Sequence, residues 1–79
     1  MPEPTAARRN RQTPVNRQAL TDLRLSQGMS ISDLSRRSGV AASHISAVEL
    51  GNSGIRPGTL AELAKALGVG IDRLLLKAS

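Results

Sequence analysis

The sequence contains no cysteine and no aromatic residue. Without cysteine the chain forms neither a disulfide nor a thiolate metal site, which is typical of proteins from a reducing compartment. Without Phe, Tyr or Trp, the core must be built from Leu, Ile, Val, Met and Ala, which bury less area per side chain. We therefore expect one small domain of moderate stability that dimerisation helps to stabilise.

The sequence also lacks a long hydrophobic run and a cluster of catalytic side chains. No apolar stretch is long enough to span a membrane, and the first ten residues lack the hydrophobic core of a signal peptide. One histidine, scattered carboxylates and no glycine-rich phosphate loop argue against an enzyme. We therefore expect a cytoplasmic protein with no metal, cofactor, small-molecule ligand or membrane contact.

Positive charge is in excess, with eleven Lys and Arg against six Asp and Glu, a net charge of +5. This balance favours a polyanionic partner, nucleic acid first, although ordinary solubility charge explains it equally well. Residues 1–14 hold three of the four prolines and no apolar periodicity, which predicts a disordered arm. Its arginines, Arg8, Arg9 and Arg11, fit an arm that follows a DNA backbone or enters a minor groove. A solvated tail is the alternative.

Residues 15–77 carry helical periodicity and predict an all-α domain of five helices without strands. The fourth helix has the strongest signal, because apolar residues recur at i, i+3, i+4 and i+7 from Leu60. A short fifth helix is predicted around Ile71 to Leu76. The boundaries follow from local signals: Asn16 and Ser30 (or Ser32) as N-caps, Pro57 at the start of the fourth helix, and Gly28, Gly39, Gly51 and Gly68 as stops.

Residues 31–50, ISDLSRRSGVAASHISAVEL, organise the chain. They predict two short helices joined by a turn at Gly39, which supplies the left-handed backbone that the connection needs. Ser35 is small enough for a close helix crossing, and its hydroxyl is expected to bond to a carbonyl one turn earlier. This spacing is the helix-turn-helix pattern, in which the second helix is offered to the major groove of DNA.

The segments LTDLRLSQGMS, SDLSRRSGVAASHISAVELG and PGTLAELAKALGVGIDRLL together resemble the lambda-repressor-like domain of the Cro/C1 (Xre) regulators. The resemblance implies a compact five-helix domain that binds operator DNA as a two-fold dimer. It also implies that the third helix reads bases. Arg24 and Glu49 match an ion pair that many members form beneath the recognition helix; two independent surface charges are the alternative. On this basis Glu49→Ala should lower both DNA affinity and stability.

Two positions depart from the family pattern. Ile31 stands where members usually have Gln, and Ser35 where they usually have Ala. Because Ile31 cannot bond to a phosphate, that contact is expected to pass to Ser30 or to backbone amides at the helix N-terminus.

The candidate DNA contacts are mostly short side chains, which are permissive readers of base edges. Specificity is therefore expected to be shared with DNA shape and with the arginine arm. For three of the candidates there is an alternative without a DNA contact: His44 is then a packed or solvated histidine, and Arg36 and Arg37 belong to a solvated face. The base-contacting candidates are Ala42, Ser43, His44, Ser46 and Ala47, and the phosphate-contacting candidates are Ser30, Arg36, Arg37, Asn52 and Arg56.

The expected partners are double-stranded DNA and a second copy of the chain. The candidate dimer face is Val69, Ile71, Leu75 and Leu76, although these side chains can instead close the core of the monomer. The function predicted is a small stand-alone repressor or controller of transcription. The alternative is an antitoxin or other protein-interaction module of the same fold, whose leucine-rich end covers a toxin or another protein.

Overall fold

A computed structural model describes residues 14–76. Their α-helices are α1 (Arg17–Ser26), α2 (Ile31–Ser38), α3 (Ala42–Leu50) and α4 (Pro57–Leu67), followed by a 3₁₀ turn at Ile71–Leu74. Apart from one isolated antiparallel bridge, this part of the chain contains no β-structure, so the all-α prediction is confirmed. None of its helices is long and apolar enough to cross a membrane. Residues 1–13 of the predicted arm, with Arg8, Arg9 and Arg11, lie outside the described residues, whereas Pro14 lies within them.

The predicted fifth helix differs from what is observed, because Ile71–Leu74 form a single 3₁₀ turn. The turn ends at Leu75, which is extended, with φ −95° and ψ 143°. Leu75 pairs with Val15 in the antiparallel bridge, which an α-helix continuing to Leu76 would prevent. Leu74, the last residue of this turn, is still completely buried.

Local side chains define the helix starts much as expected. The Asn16 side chain accepts a hydrogen bond from Ala19 N at 3.1 Å and caps α1. Ser30 caps α2 and forms a reciprocal capping box with Asp33, an arrangement that satisfies two orphan donors at once. Pro57 occupies the first turn of α4, where its missing N–H costs nothing.

The core is aliphatic and is shared by all four helices. Contacts join α2 to α3 and α4, α1 to α3, and the 3₁₀ turn to α1 and α4. Ile55 is also buried, although it lies in the polar loop between α3 and α4. The fully buried large side chains are Leu20, Leu34, Ile45, Val48, Ile55, Leu60, Leu63 and Leu74. The core thus lies directly behind α3, and its packing fixes one face of that helix.

Candidate nucleic-acid interface

The turn between α2 and α3 is closed by serine side chains. Gly39 adopts the left-handed conformation, φ 79° and ψ 7°, and its N–H bonds to Ser35 O at 2.8 Å. The Ser35 hydroxyl donates to Val40 O at 2.6 Å. The prediction that this hydroxyl bonds to a carbonyl one turn earlier is therefore wrong, because the turn at Gly39 brings the Val40 carbonyl within its reach. Ser38 Oγ accepts a second bond, from Val40 N at 3.1 Å.

Helix α3 buries one face and leaves a narrow outer surface. Ile45 and Val48 are completely buried against the core. Among the base-contacting candidates Ser43 is exposed, while the other four are half-buried: Ala42, His44, Ser46 and Ala47. No side chain caps the N-terminus of α3, since the N-cap position is held by Ala41, which is exposed. Short side chains and an uncapped N-terminus therefore lie together at this end of α3.

Arg24 and Glu49 join α1 to the C-terminal half of α3. Arg24 Nε lies 2.8 Å from Glu49 Oε2, and Nη2 lies 3.0 Å from Oε1. The remaining nitrogen, Nη1, donates to Met29 O at 2.9 Å. The side chains are only 11% and 8% exposed, and the hydrogen bond to Glu49 raises the pKa of Arg24 against the opposing effect of burial. This bidentate geometry restricts how α3 can rotate on α1.

Arg17 makes a second contact between α1 and the end of α3. Gly51 ends α3 with φ 81°, a conformation that glycine adopts without strain. A Cβ atom at position 51 would meet the Arg17 guanidinium. Sequence reasoning missed Arg17, because nothing in its local pattern indicates that it reaches a glycine 34 positions later in the chain.

The start of α2 uses its polar groups within the helix. Ser30 Oγ accepts from Asp33 N at 3.0 Å, and Ser30 N donates to Asp33 Oδ2 at 3.0 Å. Asp33 also pairs with Arg36. Hydrogen bonds from the Ser30 backbone and side chain, followed by the Arg36 charge, lower the pKa of Asp33. Two phosphate-contacting candidates, Ser30 and Arg36, are thus already joined to a carboxylate, and the half-buried Ile31 packs against the core.

The loop after α3 carries the other polar candidates. Asn52 and Arg56 are exposed, and Asn52 N bonds to Ala47 O at 2.8 Å. Arg56 and His44 line an open groove between the turn at Gly39 and the start of α4. Arg37 is exposed on α2. The structure therefore brings Arg56 to the flank of α3.

The candidate dimer face is divided between core and surface. Val69, Ile71 and Leu75 are half-buried and pack against the core, whereas Leu76 is 54% exposed. Leu25 and Leu50 are also exposed, at 59% and 64%. Sequence reasoning did not single out these two leucines, which lie near the C-terminal ends of α1 and α3.

Comparisons with known proteins agree with this arrangement. A helix-turn-helix family model, HTH_3, matches residues 20–74. An HTH_3 family transcriptional regulator from Vibrio cholerae is 26% identical, with a TM-score of 0.70 over 72% of this chain. A hypothetical transcription factor, NHTF, from Neisseria is 33% identical, with a TM-score of 0.70; the match covers 73% of this chain and 67% of that one.

The aligned region is only part of some relatives, since it spans 32% of the Vibrio protein. No curated protein is significantly similar in sequence. The family match extends from within α1 to the end of the 3₁₀ turn and confirms the resemblance to Cro/C1-type regulators. The chain belongs to the HTH_3 family of helix-turn-helix proteins.

Proposed function

We propose that the chain is a sequence-specific DNA-binding regulator of transcription that presents α3 to the major groove. The observation that supports the proposal is the contrast between the two ends of α3. Its C-terminal half is tied to α1 by the Arg24–Glu49 pair, while its N-terminus has no side-chain cap. Both structural neighbours are described as transcription regulators or factors.

The outer surface of α3 suits close approach to base edges. Alanine contacts the thymine methyl group and serine bonds to several bases, so Ala42, Ser43, Ser46 and Ala47 supply contacts that reach only a short distance. His44 extends further and can donate to guanine or to a phosphate. The backbone amides at the uncapped start of α3 are suited to a phosphate, because helix N-termini attract anions.

The phosphate contacts are assigned mainly to the loop side of the interface. Arg56 lies at the flank of α3, and Asn52 is exposed in the same loop. Arg37 adds a charge from α2, whereas Ser30 and Arg36 contact phosphate only in competition with Asp33. Basic contacts of this kind position a protein on DNA without reading sequence.

Residues 1–13 contribute a further part of the charge, since they contain three arginines and one glutamate. We assign this arm a DNA contact. Deleting residues 1–13 should weaken operator binding and reduce the slope of log affinity against log salt by about 0.9 for each lost phosphate contact. The control is Glu3→Gln, which keeps the arginines. A deletion that leaves affinity and salt dependence unchanged would reject the arm's role.

We place the contact of a two-fold dimer at the C-terminal segment, where Leu76 is exposed. A dimer of this type would hold its two recognition helices about 34 Å apart, one turn of B-DNA. Because Val69, Ile71 and Leu75 also serve the monomer core, the contact is expected to be small. DNA would then strengthen dimerisation by holding two copies side by side.

A second candidate function is that of a protein-interaction module, such as an antitoxin that covers a toxin. The three leucines that are more than half exposed, Leu25, Leu50 and Leu76, favour it. Such side chains scattered singly are normal on a surface, so this candidate ranks second.

Selection of bound sequences from a random duplex pool tests the proposal on the full chain. The expected result is enrichment of a palindrome whose half-sites are one helical turn apart. Sedimentation of the protein with the selected duplex should then show two chains per duplex. Failure to enrich any sequence, together with a monomer in sedimentation, would overturn the regulator and favour the interaction module.

A further inference from the structure

The turn between α2 and α3 contains two serines that the proposed DNA contacts do not use. Ser35 Oγ donates to Val40 O at 2.6 Å, and Ser38 Oγ accepts from Val40 N at 3.1 Å. Val40 is a core residue, only 8% exposed. Its main-chain polar groups would be costly to leave unpaired at such a site. The two serine side chains therefore satisfy both polar backbone groups of the buried residue in the turn.

These two bonds hold two consecutive peptide planes. Val40 N belongs to the Gly39–Val40 peptide, and Val40 O belongs to the Val40–Ala41 peptide. Each peptide is planar, so a bond to one of its polar atoms restrains the whole unit. The second plane leads directly into α3, because Ala41 O accepts the first helical bonds, from His44 N and Ile45 N, at 3.0 Å each.

Within residues 14–76, no other side chain forms a hydrogen bond to these two peptide units at the start of α3. Ala41 has no side chain that could cap the helix, and the Arg24–Glu49 pair acts near the opposite end. Burial of Val40 fixes the position of the turn, but it restrains rotation of the peptide planes less than hydrogen bonds do. The direction in which α3 leaves the turn thus depends on the hydroxyls of Ser35 and Ser38.

We propose that Ser35 and Ser38 are positioning residues that set the orientation of α3 and thereby determine sequence specificity without contacting DNA. This proposal rests on the proposed function. Loss of a hydroxyl would allow the axis of α3 to change direction. The outer side chains of α3 would then meet the base edges at changed angles, and they are too short to compensate. Non-specific binding depends on basic groups and salt, so it should not respond.

The test compares Ser35→Ala and Ser38→Ala with wild type on the selected duplex and on an unrelated duplex, at one salt concentration and well below the melting temperature. The matched control is Ser32→Ala, at an exposed position on the same helix. Affinity for the selected duplex should fall by about tenfold in each variant, as expected for loss of one hydrogen bond. Affinity for the unrelated duplex should stay unchanged.

Two further measurements separate positioning from stability alone. Ser38→Thr keeps the hydroxyl and should restore specific affinity. Amide hydrogen exchange without DNA should be faster at Val40 in Ser38→Ala than in the Ser32→Ala control, because the amide loses its acceptor.

Equal loss of specific and non-specific affinity would overturn the proposal, as would unchanged specific affinity in both alanine variants. Unchanged exchange at Val40 would also overturn it, independently of any DNA. A wild-type protein that selects no duplex would instead reject the proposed function, so the two failures are distinguishable.

Discussion

The two helices of the helix-turn-helix unit begin in opposite ways. Helix α2 starts with a complete capping box between Ser30 and Asp33, and Arg36 completes a small charge network there. Helix α3 has Ala41 at its N-cap position and no side-chain cap at all. Both N-cap residues have backbone conformations from which a serine or aspartate side chain can cap a helix. Backbone geometry alone therefore does not explain why only α2 carries a cap.

The two helix starts differ in whether a side-chain cap occupies their N-terminal amides, and this difference affects folding and binding in opposite ways. A side-chain cap stabilises a helix because it occupies amides that would otherwise need water or a ligand. At α2 the capping box uses the amides of Ser30 and Asp33, and a carboxylate there repels phosphate. At α3 no side chain caps the helix, so in the proposed function its first amides are left for a phosphate, and other contacts must stabilise the helix. The Arg24–Glu49 pair and the serine-closed turn are those contacts.

Breaking the support at the far end of α3 should have the largest effect. Glu49→Ala leaves the Arg24 guanidinium buried without its carboxylate, which should cost about 3 kcal/mol of unfolding free energy. The melting temperature should then fall by more than about 10 °C, and specific DNA affinity should fall as well.

The matched variant at α2 is Ser30→Ala, which removes a cap and should cost about 1 kcal/mol. Urea or thermal unfolding of both variants measures the comparison. If Glu49→Ala lowers the free energy of unfolding by no more than Ser30→Ala does, the ion pair does not support α3.

Giving α3 the cap that it lacks should raise the stability of the domain and lower its affinity for DNA. Both effects should be intermediate in size. Ala41→Asp should stabilise the domain by about 1 kcal/mol. It should also weaken DNA binding more than about tenfold, because the carboxylate occupies the first amides and repels phosphate. Ala41→Asn is the neutral control and should stabilise similarly with a smaller loss of affinity. A capped variant that binds DNA as tightly as wild type would show that these amides do not contact phosphate.

Removing the charge of Asp33 at the start of α2 should have the smallest effect on stability and on DNA affinity. The folded-state pKa of Asp33 is lowered by its bonds to Ser30 and by Arg36, so the unfolded chain binds the proton more readily. This contribution to stability is present above the ordinary aspartate pKa and is lost as the pH falls through the lower folded value. Asp33→Asn should therefore flatten the acid limb of stability against pH.

The same variant also frees Arg36 from its carboxylate partner, so DNA affinity at neutral pH should rise slightly. Acid titration of unfolding free energy and a binding isotherm check the two effects. A variant with an unchanged acid limb would show that Asp33 contributes nothing through its charge. Asp22→Asn, which removes an exposed negative charge on α1, is the control for the change in net charge.

Much of the fold was predictable because its boundaries are local. Caps such as Asn16 and Ser30 and stops such as Gly51 act within one turn of helix, so sequence spacing identifies them. The 3₁₀ turn was not predictable, since its length depends on the pairing of Leu75 with the distant Val15. Burial of Ile55 was missed for a similar reason, because the path of the loop after α3 directs it inward.

The site was predictable to a lesser degree. The contact between Arg24 and Glu49 was expected from the family resemblance rather than from spacing, as the two residues lie 25 positions apart. The bond from Ser35 to Val40 was assigned to the wrong carbonyl, because helical periodicity indicates the previous turn and ignores the reversal at Gly39. Periodicity identified which face of α3 is buried, but it could not identify which backbone atoms hold the helix in place.

The pairing at the two ends of the described chain has a consequence for engineering. Asn16 N bonds to Leu74 O at 2.8 Å, and Leu76 N bonds to Pro14 O at 3.0 Å. Residues 14 and 76 therefore lie side by side, and the described part of the chain begins and ends at one place. A short linker between them should allow circular permutation, with new termini opened in the loop between α3 and α4.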